Sequence, residues 1–144
     1  MMDVAEDRLY SAGMDLLLRR KPYILIVDDN SMILRNLKII LEKYYNVDTA
    51  QSGKLAFSSM RKRRPDLILL DYEMPEMNGK EFMLKLQEND MYKEIPIIFL
   101  TGTDSKETVV KLLSLKPAGY LLKPPDPTDM FNKINKILGR HYVT

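Results

Sequence analysis

The chain has 144 residues, about the length of one domain, and a chain of this size can bury enough surface to fold without disulfides. It has no cysteine and one histidine, His141, which excludes disulfide frameworks, thiolate-ligated metals and thiol catalysis and argues against histidine-based chemistry. The 22 Lys and Arg nearly balance the 20 Asp and Glu, and no apolar run is long enough to cross a bilayer. We therefore expect a cytoplasmic protein without a membrane partner.

The first 21 residues differ from the rest of the chain, because their apolar residues form only a weak helical stripe that Gly13 interrupts and Pro22 ends. After them, short apolar runs alternate with amphipathic stretches. We predict an N-terminal extension or arm over residues 1–21, a single folded domain over 22–140 and a C-terminal tail over 141–144.

The alternating pattern predicts five strands and five helices. The strands are expected over residues 23–27, 47–50, 67–70, 95–100 and 120–122. Helices should begin at Asn30 or Ser31, at Ser52 and near Ser105, where polar side chains can cap them. Strands that alternate with helices form parallel sheets, so we predict an α/β fold with a doubly wound, five-stranded parallel sheet covered on both faces.

One dense basic run, residues 61–64, ends the second predicted helix. Cations at this position complement the helix dipole and remain solvated. No aromatic residue interleaves the run, as a stacking platform for nucleic-acid bases would require. We therefore expect no direct nucleic-acid binding by this chain.

Polar side chains follow four of the predicted strands. Asp28 and Asp29 come after the first strand, Asp71 after the third, Thr101 after the fourth and Lys123 after the fifth. Ligands of open parallel α/β sheets bind beyond the carboxyl ends of the strands, so these side chains should converge. Crowded carboxylates repel one another unless a cation offsets them, and hard oxygen ligands suit Mg²⁺. With a hydroxyl and an ammonium group added, the pattern predicts a site that holds a phosphoryl group beside a magnesium ion.

Residues from about 22 to 139 resemble the receiver domain of bacterial two-component response regulators, in particular the chemotaxis-regulator type with its flavodoxin-like topology. Four motifs in order carry the resemblance: Val27-Asp28-Asp29, Asp71 followed by Met74-Pro75-Glu76-Met77-Asn78-Gly79, Thr101-Gly102, and Tyr120-Leu121-Leu122-Lys123-Pro124.

The resemblance implies that Asp71 accepts a phosphoryl group from a phosphohistidine of a sensor histidine kinase or a histidine phosphotransfer protein. Such a domain is not an enzyme beyond its own phosphorylation and dephosphorylation. The resemblance also implies that Asp28, Asp29, Asp71 and the backbone carbonyl of Glu73 hold Mg²⁺, for which Mn²⁺ could substitute.

The resemblance further implies that Thr101, Gly102 and Lys123 contact the phosphoryl group, while Thr101 and Tyr120 form a conformational switch. Helix 4, strand 5 and helix 5 would then present the surface for an output domain, a target protein or a second copy in a homodimer. Two arrangements are compatible with the sequence, a stand-alone receiver and the front part of a longer regulator.

Three positions depart from the usual receiver pattern. Gly102 stands where alanine is commoner, which should leave the phosphoryl site more open. Residues 116–119 and Pro125 differ from the usual loop sequences on either side of strand 5. Because both lie beside the surface of helix 4, strand 5 and helix 5, we expect them to affect the geometry of partner binding rather than the phosphoacceptor chemistry.

Two other functions share parts of this pattern. A flavodoxin-like FMN-binding protein would need a phosphate-binding loop after the first strand, where Asp28 and Asp29 would repel the phosphate. An aspartate-dependent phosphatase would need a second aspartate two positions after the first, where this sequence has Asn30. Both are weaker interpretations than a receiver.

Overall fold

The computed structural model describes residues 20–139, and this part of the chain contains five strands and five helices in strict alternation. The strands are β1 (Tyr23–Val27), β2 (Asn46–Ala50), β3 (Leu67–Asp71), β4 (Ile97–Thr101) and β5 (Gly119–Leu122). The helices are α1 (Ser31–Leu41), α2 (Gly53–Lys62), α3 (Gly79–Gln87), α4 (Lys106–Leu113) and α5 (Pro127–Leu138). The predicted tail, and the predicted arm up to residue 19, lie outside the described residues.

The strands form one parallel sheet in the order β2-β1-β3-β4-β5, which confirms the predicted fold class. Every residue of β1, β3 and β4 is buried, as expected of apolar strands covered on both faces. The sheet order turns back after β2, so β1 and β3 are neighbours at the point where the chain changes direction across the sheet. The polar residues that follow these two strands are therefore brought side by side.

The helices lie in two layers. Buried residues of α2, α3 and α4 pack with one face of the sheet, and those of α1 and α5 pack with the other. Alternate residues of each central strand pack against opposite layers of helices. Leu25 and Val27 belong to one core, and Ile24 and Ile26 belong to the other. No helix within residues 20–139 is long and apolar enough to span a membrane.

Each helix begins after a side chain that accepts a hydrogen bond from the first turn. These residues are Asn30, Ser52, Asn78, Ser105 and Asp126, and the first, second and fourth confirm the predicted helix starts. The predicted strand boundaries are correct to within one residue, except at the start of β4. Strand β4 begins at Ile97 rather than residue 95, since Pro96 has no backbone N–H to donate to a neighbouring strand.

Candidate functional site

Three carboxylates meet where β1 and β3 end. Oxygen atoms of Asp28, Asp29 and Asp71 all lie within 4.8 Å of one another. Asp28 and Asp71 are buried, whereas Asp29 is exposed. The backbone N–H of Asp28 donates to the carbonyl of Ala50, at 3.1 Å, which continues the pairing of β1 with β2 beyond the last strand residue. The predicted convergence of these carboxylates is thus present in the structure.

Lys123 lies between the two buried carboxylates. Its Nζ is 2.9 Å from Oδ2 of Asp28 and 2.8 Å from Oδ1 of Asp71. The backbone N–H of Lys123 donates to the carbonyl of Thr101, at 2.8 Å, so the end of β5 is held beside the end of β4. A single ammonium group therefore faces two negative charges in a region with little access to water.

Burial and charge shift the pKa values of both partners. Burial raises the pKa of Asp71 to about 6, and the hydrogen bonds from Lys123 and from the Glu73 N–H only partly oppose this rise, to which the charge of Asp28 adds. Burial alone would lower the pKa of Lys123, but its contacts with Asp28 and Asp71 outweigh that effect and raise it. At neutral pH the site therefore holds an ammonium ion and an ionised Asp71.

The carboxylate cluster fits a small divalent cation. Oδ2 of Asp28 is buried and is paired with the ammonium group of Lys123, at 2.9 Å. A buried oxygen of this kind, beside the carboxylates of Asp29 and Asp71, is the type of ligand that Mg²⁺ prefers. The chemistry of these donors therefore fits the predicted magnesium site.

The hydroxyl of Thr101, the last residue of β4, lies on the other side of the site. The residue is fully buried, and its Oγ1 is 3.0 Å from Oε1 of Glu73 and 3.1 Å from the carbonyl oxygen of Thr103. The N–H of Thr103 also donates to Oγ1, at 3.3 Å. Because a hydroxyl carries one proton, it donates to only one of its two acceptors at a time.

The loop between β3 and α3 is held tightly against the site. The N–H of Glu73 donates to Oδ1 of Asp71, at 3.1 Å, and the N–H of Gly79 donates to the carbonyl of Tyr72, also at 3.1 Å. A Cβ atom at Gly79 would lie 2.7 Å from the carbonyl oxygen of Asp71 and 2.9 Å from Cα of Tyr72. This position therefore requires glycine, since the backbone of α3 passes so close to Asp71.

Gly102 directly follows Thr101, and Tyr120 lies in β5 beside β4. A Cβ atom at Gly102 would have no neighbour within 4 Å, so alanine would fit here without a clash. Tyr120 is half-buried and pairs in the sheet with Phe99, two residues before Thr101. Its ring packs against the core that contains Phe99.

Comparison with known proteins identifies the family. Residues 24–135 match the model of the response regulator receiver domain. The chain belongs to the response regulator receiver family.

Relatives of this receiver differ widely in length. Chemotaxis protein CheY1 of Helicobacter pylori is 33% identical over 119 residues, which cover 81% of this chain and 96% of that protein. Hybrid signal transduction histidine kinase D of Dictyostelium discoideum is 29% identical over 136 residues, or 94% of this chain and 9% of the kinase. The receiver spans 9% to 56% of the length of four curated relatives that it matches.

A solved structure shares the fold. Chemotaxis protein CheY4 of Vibrio cholerae superposes with a TM-score of 0.75 at 30% identity, covering 81% of this receiver and 98% of that chain. These matches support a receiver in two-component signalling, as predicted, and give no support to an FMN-binding protein or an aspartate-dependent phosphatase.

The structure gathers Asp28, Asp29, Asp71 and Lys123 into one cluster, and Thr101 is linked to it through Glu73 and the backbone of Lys123. It also adds one contact that sequence reasoning missed. Glu73 was predicted to contribute only its backbone carbonyl, but its carboxylate accepts a hydrogen bond from Thr101. The only available signal was its place two residues after Asp71, which does not indicate where an exposed side chain will turn.

Proposed function

We propose that this receiver accepts a phosphoryl group on Asp71 from a phosphohistidine of a sensor histidine kinase or a histidine phosphotransfer protein. The observation that carries the proposal is the position of Asp71. Its side chain is 2% exposed at the end of a central strand, and its carboxylate lies 2.8 Å from the ammonium group of Lys123 and beside two further carboxylates.

The proposed transfer needs no general base. An ionised oxygen of Asp71 attacks phosphorus, an O–P bond forms, and the P–N bond to the donor imidazole breaks with its electron pair passing to nitrogen. Because the pKa of Asp71 is about 6, this carboxylate is largely ionised at pH 7.5 and has no proton to lose. Lys123 would stabilise the attacking oxygen and the transferred group through its charge.

Asp28, Asp29, Asp71 and the backbone carbonyl of Glu73 would hold Mg²⁺, with Mn²⁺ as a possible substitute. A divalent ion bound there neutralises charge on the phosphoryl oxygens. The donor set supports this assignment, because carboxylate oxygens of Asp28, Asp29 and Asp71 lie within 4.8 Å of one another.

Thr101, Gly102 and Lys123 would contact the phosphoryl oxygens. When Thr101 moves toward the phosphoryl group, the ring of Tyr120 would turn inward. The altered surface would be that of α4, β5 and α5, which would bind an output domain, a target protein or a second copy of the receiver. We place the protein in the cytoplasm, with no direct binding to nucleic acid or membranes. Its only reactions would be its own phosphorylation and dephosphorylation.

A small phosphodonor tests the proposal directly. Incubation of the whole chain with acetyl phosphate and Mg²⁺ should add one phosphoryl group, measured by intact mass, and EDTA should prevent it. Asp71→Asn should abolish the addition. Asp90→Asn is the matched control, because the Asp90 side chain is 95% exposed and pairs only with Lys93 among the described residues. Equal labelling of Asp71→Asn and wild type would refute the assignment.

A further inference from the structure

The carboxylate of Glu73 is hydrogen-bonded to the Thr101 hydroxyl, which the phosphoryl group would also need. Oε1 of Glu73, 3.0 Å away, is the nearer of the two acceptors of the Thr101 hydroxyl, the other being the carbonyl oxygen of Thr103 at 3.1 Å. The bond to Glu73 joins the end of β4 to the loop that follows β3. At 3.0 Å this bond is longer than the ~2.5–2.7 Å typical of a hydroxyl bound to a carboxylate, and Glu73 is exposed, so we assign it the strength of an ordinary hydrogen bond. Thr101 has one proton to donate, so it cannot serve Glu73 and a phosphoryl oxygen at once.

Hydrogen bonds hold the backbone around Glu73, so the contact between Glu73 and Thr101 starts from an ordered loop. Its N–H donates to Oδ1 of Asp71, at 3.1 Å, and the next residue, Met74, is buried in the core. The carbonyl of Tyr72, on the other side, accepts from the N–H of Gly79. The side chain of Glu73 is exposed but starts from a backbone that is anchored on both sides of it.

The negative charge of Glu73, like its hydrogen bond to Thr101, would oppose the binding of a phosphoryl group. A phosphoryl group on Asp71 would bring further negative charge to a site that already holds three carboxylates and one ammonium group. The carboxylate of Glu73 would be a fourth negative group, bound to the hydroxyl on which the new group depends. Like charges at close range disfavour each other, so Glu73 would have to leave Thr101 as the phosphoryl group arrives.

We propose that the Glu73 side chain is a positioning residue that holds Thr101 in its resting state and competes with the phosphoryl group for the Thr101 hydroxyl. It thereby lowers the affinity of the site for a phosphoryl group. This inference rests on the proposed phosphoacceptor function of Asp71. It assigns to Glu73 a role separate from that of its backbone carbonyl.

The test measures binding of beryllofluoride, a phosphoryl mimic, to the whole chain by isothermal titration calorimetry in the presence of Mg²⁺. Glu73→Ala should bind it roughly three- to tenfold more tightly than wild type, the range that corresponds to the net contribution of one ordinary hydrogen bond, because the carboxylate of Glu73 is exposed to water. Glu73→Gln retains an oxygen acceptor without the charge and should lie between the two. Glu76→Ala removes the same charge from an exposed position of the same loop and should change the affinity by less than twofold.

A double-mutant cycle separates competition for the hydroxyl from a general effect of charge. With Thr101→Ala as the background, Glu73→Ala should improve beryllofluoride binding no more than Glu76→Ala does, because the hydroxyl is gone. An equal gain with and without the hydroxyl would overturn the inference.

The other outcomes distinguish this inference from the function on which it rests. Equal affinity of wild type and Glu73→Ala, or a gain in Glu76→Ala as large as that in Glu73→Ala, would overturn the role of Glu73 alone. Failure of wild-type protein to bind beryllofluoride at all would overturn the phosphoacceptor assignment and this inference together.

Discussion

The centre of the sheet and its β5 edge are built differently. All residues of β1, β3 and β4, which we call the acceptor strands, are buried, and the carboxylates and the threonine of the site lie at or directly after the ends of these strands. In the segment formed by α4 and β5, which we call the α4–β5 edge, helix α4 buries only Leu112. Val110, Leu113 and Leu122 of this edge are 59%, 48% and 42% exposed.

This contrast shows where the receiver can change shape at low cost. Regions with few buried apolar contacts open and rearrange more easily than a close-packed core. Thr101 ends an acceptor strand and pairs with Leu122 of β5, so it belongs to the site and touches the weaker edge. In the proposed function, the acceptor strands would therefore supply a rigid frame for the chemistry, and the α4–β5 edge would respond to it.

Truncation of a core side chain should give the largest difference between the two regions. Leu69→Ala in β3 should destabilise the protein by about 2–5 kcal/mol, since the side chain is fully buried and a cavity would remain. Val110→Ala in α4 should cost less than about 0.5 kcal/mol. Urea unfolding of both variants measures the free energies, and similar losses would remove the contrast on which the account depends.

The buried acceptor carboxylate should cost stability in protein without metal. The folded-state pKa of Asp71, about 6, is above its ordinary value of 3.8, so the folded protein binds this proton more tightly than the unfolded chain. The stability that the bound proton contributes is complete below pH 3.8 and is lost as the pH rises through about 6. The loss should be on the order of 2–3 kcal/mol.

Asp71→Asn isolates that contribution, because asparagine has no carboxylate to ionise. Between pH 4 and 7, in EDTA, the stability of wild type relative to Asp71→Asn should fall as the pH rises. Chemical unfolding at several pH values measures the difference. A difference that stays constant, or that grows with pH, would contradict the burial of an ionised Asp71.

Two glycines allow a smaller comparison of packing beside the site. Gly79→Ala should cost about 1–2 kcal/mol, because its Cβ would press on the backbone of Asp71 and Tyr72. Gly102→Ala should leave the stability of the protein unchanged or raise it by about 0.4–1 kcal/mol. Its Cβ would meet no neighbouring atom, and alanine lowers the conformational entropy of the unfolded chain. Thermal unfolding of both variants measures these changes, and a larger loss in Gly102→Ala than in Gly79→Ala would reverse the expected order.

The sequence predicted the sheet and the convergence of its polar strand ends because both follow from regular rules. Apolar runs separated by helical stretches form a parallel sheet, and the residues after neighbouring strands must then meet. Asp28, Asp71 and Lys123 were placed correctly for this reason, although the sequence did not indicate that Lys123 would contact both carboxylates.

The direction of a loop side chain and the first residue of a strand could not be predicted from these regular rules. The direction of the Glu73 carboxylate depends on the anchored turn around Asp71, which has no periodic pattern in the sequence. The start of β4 depends on the pairing of Ile97 with Ile68 of β3, whereas the apolar residue Ile95 suggested an earlier start. Tertiary contacts decided both features.

The most direct test of the account compares amide chemical shifts with and without beryllofluoride and Mg²⁺. We expect changes around Asp71 and Thr101 that extend through α4 and β5, while amides in the middle of β1 and β3 change little. This result would show that the site acts on the α4–β5 edge through Thr101. Changes confined to the neighbourhood of Asp71, with α4 and β5 unaffected, would contradict the central claim.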